Sequence, residues 1–297
     1  MSNVLQYFAI SLRKRGVATT AKKVARAFFN TLRHPLLNLR IVSVCARAGI
    51  LFRGEFLERL IKLHNGAYSR HFDFRERSRV FLHHFEFAHH NVPPQFRLGR
   101  SGARQDLWSL DVLDGRLSAV LHIPSLALSQ EGELVVSLFF DAREIATCGF
   151  QFCEGAIFGE SGTVIFVSRM QGVRNTYDIV KPLNKALGHM HLSKLLVSVI
   201  EGVALAHGVH CLVGVDGATQ LAANDHKDYT SMYDRPWQDH GALPIVPGYH
   251  ALSLPLDHTV QGQGKCHPNH SRRRHELRRA ITSAVRESVA GMRAVKS

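Results

Sequence analysis

Apolar and polar positions change their period several times along the chain. From residue 1 to 96 the apolar residues recur at three- and four-residue spacing, as in GEFLERLIKLHN and FRERSRVFLHHFEFAHHN. That spacing predicts helices, with Pro93 and Pro94 closing the region. From 97 to 168 the chain turns to short runs rich in Val, Ile, Leu and Phe: DLWSLDVL, SAVLHIP, ELVVSLFFDAREIATCGFQF and TVIFVSR. These predict strands, with Asp114-Gly115 turning the chain between the first two. Helical spacing returns over 175–207, CLVGVDG reads as a further strand, and HALSLPL as the last before the polar segment GQGKCHPNHS.

A helical unit, an antiparallel meander, then strand, helix and strand predict an α+β (or α/β) fold. Its sheet is mixed but largely antiparallel, with one strand-helix-strand crossover. The chain divides into an N-terminal helical region with a basic amphipathic start (1–96), an α/β core (97–260), and a basic C-terminal linker and helix (261–297). The element order also resembles the core of the GNAT acyltransferase fold, in which a central strand is followed by a helix whose N-terminus receives a pyrophosphate. A phosphate cradle wants clustered glycines, whereas Gly172 and Gly188 stand sixteen residues apart.

Composition excludes disorder of the whole chain, since 45% of the 297 residues are hydrophobic and can bury a substantial core. Five cysteines without a C-x-x-C spacing suggest neither a disulfide framework nor a four-cysteine zinc site. The N-terminal VLQYFAISLRKRG places its apolar residues before the positive ones and shows no cleavage site. The best candidate for a membrane span, IVSVCARAGILF, is short and broken by Arg47. The expectation is a cytoplasmic protein that reaches the inner membrane surface only peripherally.

Charge sharpens that picture. Residues 1–40 carry eight Lys/Arg and no acid, and residues 265–297 carry nine Lys/Arg against two Glu; of the overall +13 this leaves −2 for the middle. Each end reads as an amphipathic helix: Val24, Phe28 and Leu32 recur in the first, and Leu277, Ile281, Val285 and Val289 in the second. Basic amphipathic helices suit an anionic lipid surface or an envelope protein. The plainer expectation is that both stripes dock on the core while the cations face water. Nucleic acid ranks third, because the arginine run has no aromatic interleaving and no recognition motif.

Polar groups gather where the predicted crossover strands end: Arg169, Gln171, Asp216, Tyr233, Asp234 and Trp237. Such strand tips are where sites are built in α/β sheets. A buried Arg169 requires an anionic partner, either a carboxylate such as Asp216 or a ligand. Tyr233, Asp234 and Trp237 are expected on a loop, as walls of a site or a lid over the core. His189 and His191 flank Met190 at the start of the long helix, where the dipole favours a neutral imidazole; His189 is the candidate general base, with Arg169 and Tyr233 beside it. An acyl carrier or nucleotide would meet Gln171, Gly172, Val173 and Arg174, with Lys181 or Lys185 in support, and a small acyl or aminoacyl compound is the partner expected of such a site.

His83, Glu86 and His90 share a helix face, but the outer two are widely spaced for one ion. Cys266, His267 and His270 have no second half-site, so no metal is assigned and no cofactor is identified.

The motifs resemble the bacterial VirK/YbjX family. They are SRMQG at 168–172, LGHMHLSKLL at 187–196, GVD at 214–216, YDRPWQDHG at 233–241, HNGAYSRHFDFRER at 64–77, EGELVVSLFF at 131–140 and PGYHALSLPL at 247–256. Pro236 and Ala242 depart from the family's pattern, which more often has a bulky apolar residue and a second glycine there. The resemblance implies association with the cell envelope and virulence and brings no agreed reaction. Two expectations follow: a cytoplasmic envelope-associated factor, or a GNAT-like acyl- or aminoacyl-transferring enzyme.

Overall fold

A computed structural model describes residues 17–49, 54–97, 102–124, 131–221, 228–257 and 268–294. The N-terminal region is helical, as its periodicity predicts. Helix α1 (Val17–Arg33) ends where Pro35 opens α2 (Pro35–Arg47) at a position that needs no backbone N–H. Helices α3 (Gly54–Asn65) and α4 (Phe74–Asn91) follow, then the short α5 (Pro94–Arg97). The start of α4 is a reciprocal cap: Asp73 Oδ1 accepts from the Glu76 N–H at 2.8 Å, and Glu76 Oε2 accepts from the Asp73 N–H at 2.8 Å.

The strands β1 (Arg104–Val112), β2 (Gly115–His122), β3 (Leu134–Phe140), β4 (Arg143–Glu154) and β5 (Thr163–Gly172) form an antiparallel meander. Helices α6 (Tyr177–Ala186) and α7 (Leu192–Ala206) then carry the chain to β6 (Cys211–Val215), which lies parallel to β5. After α8 (Asp228–Gln238), the strands β7 (Leu243–Pro244) and β8 (Tyr249–Ser253) complete an eight-stranded sheet of order β1-β2-β3-β4-β5-β6-β8-β7; α9 (Pro268–Ala294) closes the fold. The fold is therefore α+β, with the mixed, largely antiparallel sheet and single crossover that the hydrophobic pattern predicts.

Local geometry departs from expectation in three places. The predicted single helix over 175–207 is two, because Gly188 and His189 both adopt positive φ (70° and 61°) between them. The β1–β2 turn sits on Leu113 and Asp114, both at positive φ (54° and 57°), one residue earlier than predicted. Gly115 begins β2, where a Cβ would collide with the Phe140 ring. Tyr233, Asp234 and Trp237 lie on α8 rather than on a loop, with Pro236 tolerated in its last turn.

The two ends of the chain fare differently. Ile281, Val285 and Val289 are buried, and α9 lies along α7, where Gly202 lets the helices approach: a Cβ there would stand 2.7 Å from the Thr282 carbonyl oxygen. On α1, by contrast, Phe28 is 61% and Leu32 62% exposed, while the Val24 side chain lies outside the described set. Docking of both stripes on the core thus holds for the second end alone. On the other sheet face Phe72, Phe158, Phe166 and Tyr249 stack into a cluster shared with α4.

Candidate functional site at the tip of β5

Strands β5 and β6 part at their C-terminal ends. They pair only over Ile165–Val167 and Leu212–Gly214, and the register of β5 against β4 slips at Ser168. A bulge there twists β5 away from its neighbour. Trp237 from α8 fills the opening: its ring lies on Gly214, where any Cβ would collide with it, and its indole N–H donates to the Val215 carbonyl at 3.2 Å. The indole thus satisfies a carbonyl at the end of β6 and seals the core.

Beyond the bulge the polar groups of β5 meet a carboxylate that the sequence pattern did not single out. Arg169 pairs with Glu131 at 2.5 Å, their side chains 15% and 12% exposed. Gln220 Nε2 donates to the other Glu131 oxygen at 2.5 Å, and the Ser168 hydroxyl donates to the Glu131 backbone carbonyl. The Gln171 amide, turned with its oxygen to the Arg169 guanidinium, presents its nitrogen to the Tyr233 phenol at 3.4 Å. Arg169, Gln171 and Tyr233 therefore converge, and the expected Asp216 partner is replaced by Glu131.

Asp216 is committed elsewhere for a geometric reason. It closes the turn after β6, where its Oδ1 accepts from the Thr219 N–H at 2.8 Å and the Thr219 hydroxyl at 2.9 Å. Asp234 Oδ1 accepts from the Gly217 N–H at 2.8 Å and ties α8 to that turn. These two acids and Trp237 build the scaffold around the site. Arg174 and His189 are exposed, and neither lines the cavity described next.

That cavity, about 310 Å³, opens at the tip of β5. Met170, Gln171 and Gly172 form one wall, His191, Ser193 and Leu196 at the start of α7 a second, and Arg235, Pro236 and Asp239 a third. His191 is the N-cap residue of α7, and its side chain makes no cap hydrogen bond. The first N–H groups of a helix have no acceptor within it, so this end carries partial positive charge. Asp239 is balanced by Lys194 at 3.8 Å, which leaves Arg235 as the lining cation without an ion-pair partner among the described residues.

On the adjoining strands Ser137 lies between His122 Nε2 at 2.8 Å and Glu144 Oε1, to which it donates, at 2.5 Å. Its cross-strand neighbour Thr147 keeps a buried hydroxyl with no partner. Among the described residues no three His, Cys, Asp or Glu side chains are grouped to hold a metal ion. His83 meets the Thr163 hydroxyl at 3.1 Å and Glu86 pairs with Arg40 at 3.1 Å; Cys266 and His267 lie outside the described residues.

Residues 53–289 match the family described as a protein of unknown function, DUF535. The match spans most of the chain, so the protein belongs to this family. No curated protein matches the chain. Helices α1 and α2 precede the matched span, whereas the β5 tip, its cavity and most of α9 fall within it.

Proposed function

We propose that the chain is an envelope-associated protein of the VirK/YbjX type that works at the cytoplasmic face of the inner membrane and docks there through α1 and α2. The observation that carries this reading is the outward apolar face of those helices. Phe29, Leu36 and Leu39 are 69%, 81% and 65% exposed, alongside Phe28, Leu32 and Val42. Lys22, Arg26, Arg33 and Arg47 are exposed on the same two helices. Apolar residues set among cations are the chemistry that an anionic bilayer surface recognises. At about 1 kcal/mol for each cation near such a surface, these four contribute roughly 4 kcal/mol, or about a thousandfold in affinity. Among the described residues no helix is long and apolar enough to cross a membrane, so this reading is of contact with the surface.

Co-sedimentation with vesicles tests it. Vesicles containing phosphatidylglycerol retain the protein at low salt and release it as salt rises, because screening removes the attraction between the cations and the lipid. The double variant Phe28→Asp/Leu32→Asp loses retention, while Arg279→Glu on α9 keeps it. Equal retention by neutral phosphatidylcholine vesicles, or by the double variant, overturns the proposal.

A further inference from the structure

The histidines of the helical layer fall into two groups. His64, His83 and His84 turn inward: His64 stacks on Phe74, His83 meets the Thr163 hydroxyl at 3.1 Å, and His84 accepts the Phe152 N–H at 3.3 Å. Burial lowers the pKa of all three. His34, His89 and His90 instead border the outward face of α1 and α2. His34 joins the two helices between the exposed Leu32, Arg33 and Leu36, and its ring stacks on Phe74 at 5.5 Å. His89 and His90 are exposed in the last turn of α4. That helix lies against α2, where Ile41, Val44 and Cys45 share a core cluster with Phe81 and Phe85, and Arg40 reaches Glu86 at 3.1 Å. His90 stands one turn beyond Glu86 on the same helix face. Imidazole is the side chain whose charge ordinarily changes between about pH 5 and 8.

On the reading of α1 and α2 as the docking face, on which this inference rests, we propose that His34, His89 and His90 make docking respond to pH: their protonation tightens the hold on an anionic bilayer. Near neutrality the border presents Lys22, Arg26, Arg33 and Arg47, while Glu86 offsets Arg40. Each imidazole that takes up a proton adds a cation beside the lipid, which is worth about fivefold in affinity. Protonated His90 also competes with Arg40 for Glu86, because an acid and a cation four residues apart face each other on a helix. The last turn of α4 carries partial negative charge that supports protonation of His89 and His90, and the Phe74 ring supports it at His34. The cations of the surrounding helices oppose it: Arg26 and Arg33 on α1, Arg40 and Arg47 on α2, Lys62 on α3, and Arg77 on α4, itself offset by Asp73 and Glu76. An anionic surface removes that opposition and concentrates protons by roughly half a pH unit. Docking and protonation therefore reinforce each other, as linkage requires.

Co-sedimentation of the full chain with phosphatidylglycerol vesicles at fixed ionic strength, at pH 7.5 and at pH 6.0, tests this. Both values lie above the range in which the buried His64 and His84 take up protons in the folded protein. Affinity rises roughly tenfold or more from the higher pH to the lower. In His34→Asn/His89→Asn/His90→Asn it is the same at both. The variant His89→Lys/His90→Lys, altered only at two exposed positions, carries its charges at either pH and binds at pH 7.5 about as tightly as the parent at pH 6.0. The control His189→Asn/His210→Asn, at exposed positions outside the helical layer, keeps the full rise. A rise that survives the triple substitution, that is lost in the control, or that the lysines fail to mimic overturns the proposal. Salt-released retention that is equal at the two pH values overturns it and leaves docking standing. No salt-released retention at either pH overturns docking and this inference with it.

Discussion

Glu133 and Arg59 meet almost wholly buried, with side chains 4% and 7% exposed, and the Tyr68 phenol donates to the second Glu133 oxygen at 2.6 Å. Two residues earlier Glu131 makes a similar pair with Arg169 that remains partly wet. Burial decides what each pair is worth, because removing one partner of a dry pair strands the other charge without hydration. Glu133→Gln should therefore cost about 3–5 kcal/mol of folding stability, and Glu131→Gln distinctly less. Urea unfolding of both variants measures the difference, and equal losses would refute the distinction. That Arg169 needs an acid was legible from its place in an apolar strand. Which acid was not, since Glu131 and Asp216 both lie far from it in sequence and only the bulge at Ser168 and the turn after β6 decide between them.

At the scale of elements the two basic amphipathic ends look alike in sequence and differ in structure. What distinguishes α9 is a matching surface on α7. Gly202 provides the notch, and the buried Glu201 accepts from the Thr282 hydroxyl at 3.0 Å and from the Leu256 N–H at 2.7 Å, clamping α7, α9 and the chain after β8 together. Hydrophobic period reports that a helix has a face to bury; it does not report whether a partner has room for it. Gly202→Val should then unseat α9, since overpacking such an approach costs about 1–3 kcal/mol, and the loss should appear as a lower urea midpoint with cleavage focused on α9 in limited proteolysis. Unchanged protection of α9 would show that the notch is not what seats it. The same limit explains α8. YDRPWQDHG reads as a loop after the CLVGVDG strand, yet a helix runs through Pro236: the proline removes a backbone hydrogen bond there, and Trp237 beside it, anchored on Gly214, holds the turn in place.

For the molecule as a whole, burial of neutral imidazoles links the helical layer to the sheet and makes stability depend on pH. His84 lies on α4, and its Nδ1 accepts the Phe152 backbone N–H at 3.3 Å, a bond that only the unprotonated nitrogen can make. His64 stacks on Phe74 at 4.5 Å with neither ring nitrogen bonded. Burial, and then the Arg59 guanidinium and His83, push His84 down to about 3; burial, and then Arg77, push His64 down to about 4. In the unfolded chain both return to about 6.5. Between these limits the unfolded state binds protons that the folded state refuses, so the stabilisation is complete above pH 6.5 and is lost as pH falls toward 4. Each histidine contributes a slope of about 1.4 kcal/mol per pH unit in the lower part of that window. Urea unfolding between pH 7.5 and 5 should show the decline before most carboxylates titrate. His64→Phe, which preserves the stack and removes the ionisable group, should reduce the slope by the share of one histidine; an undiminished slope would mean that His64 already takes up its proton in the folded protein.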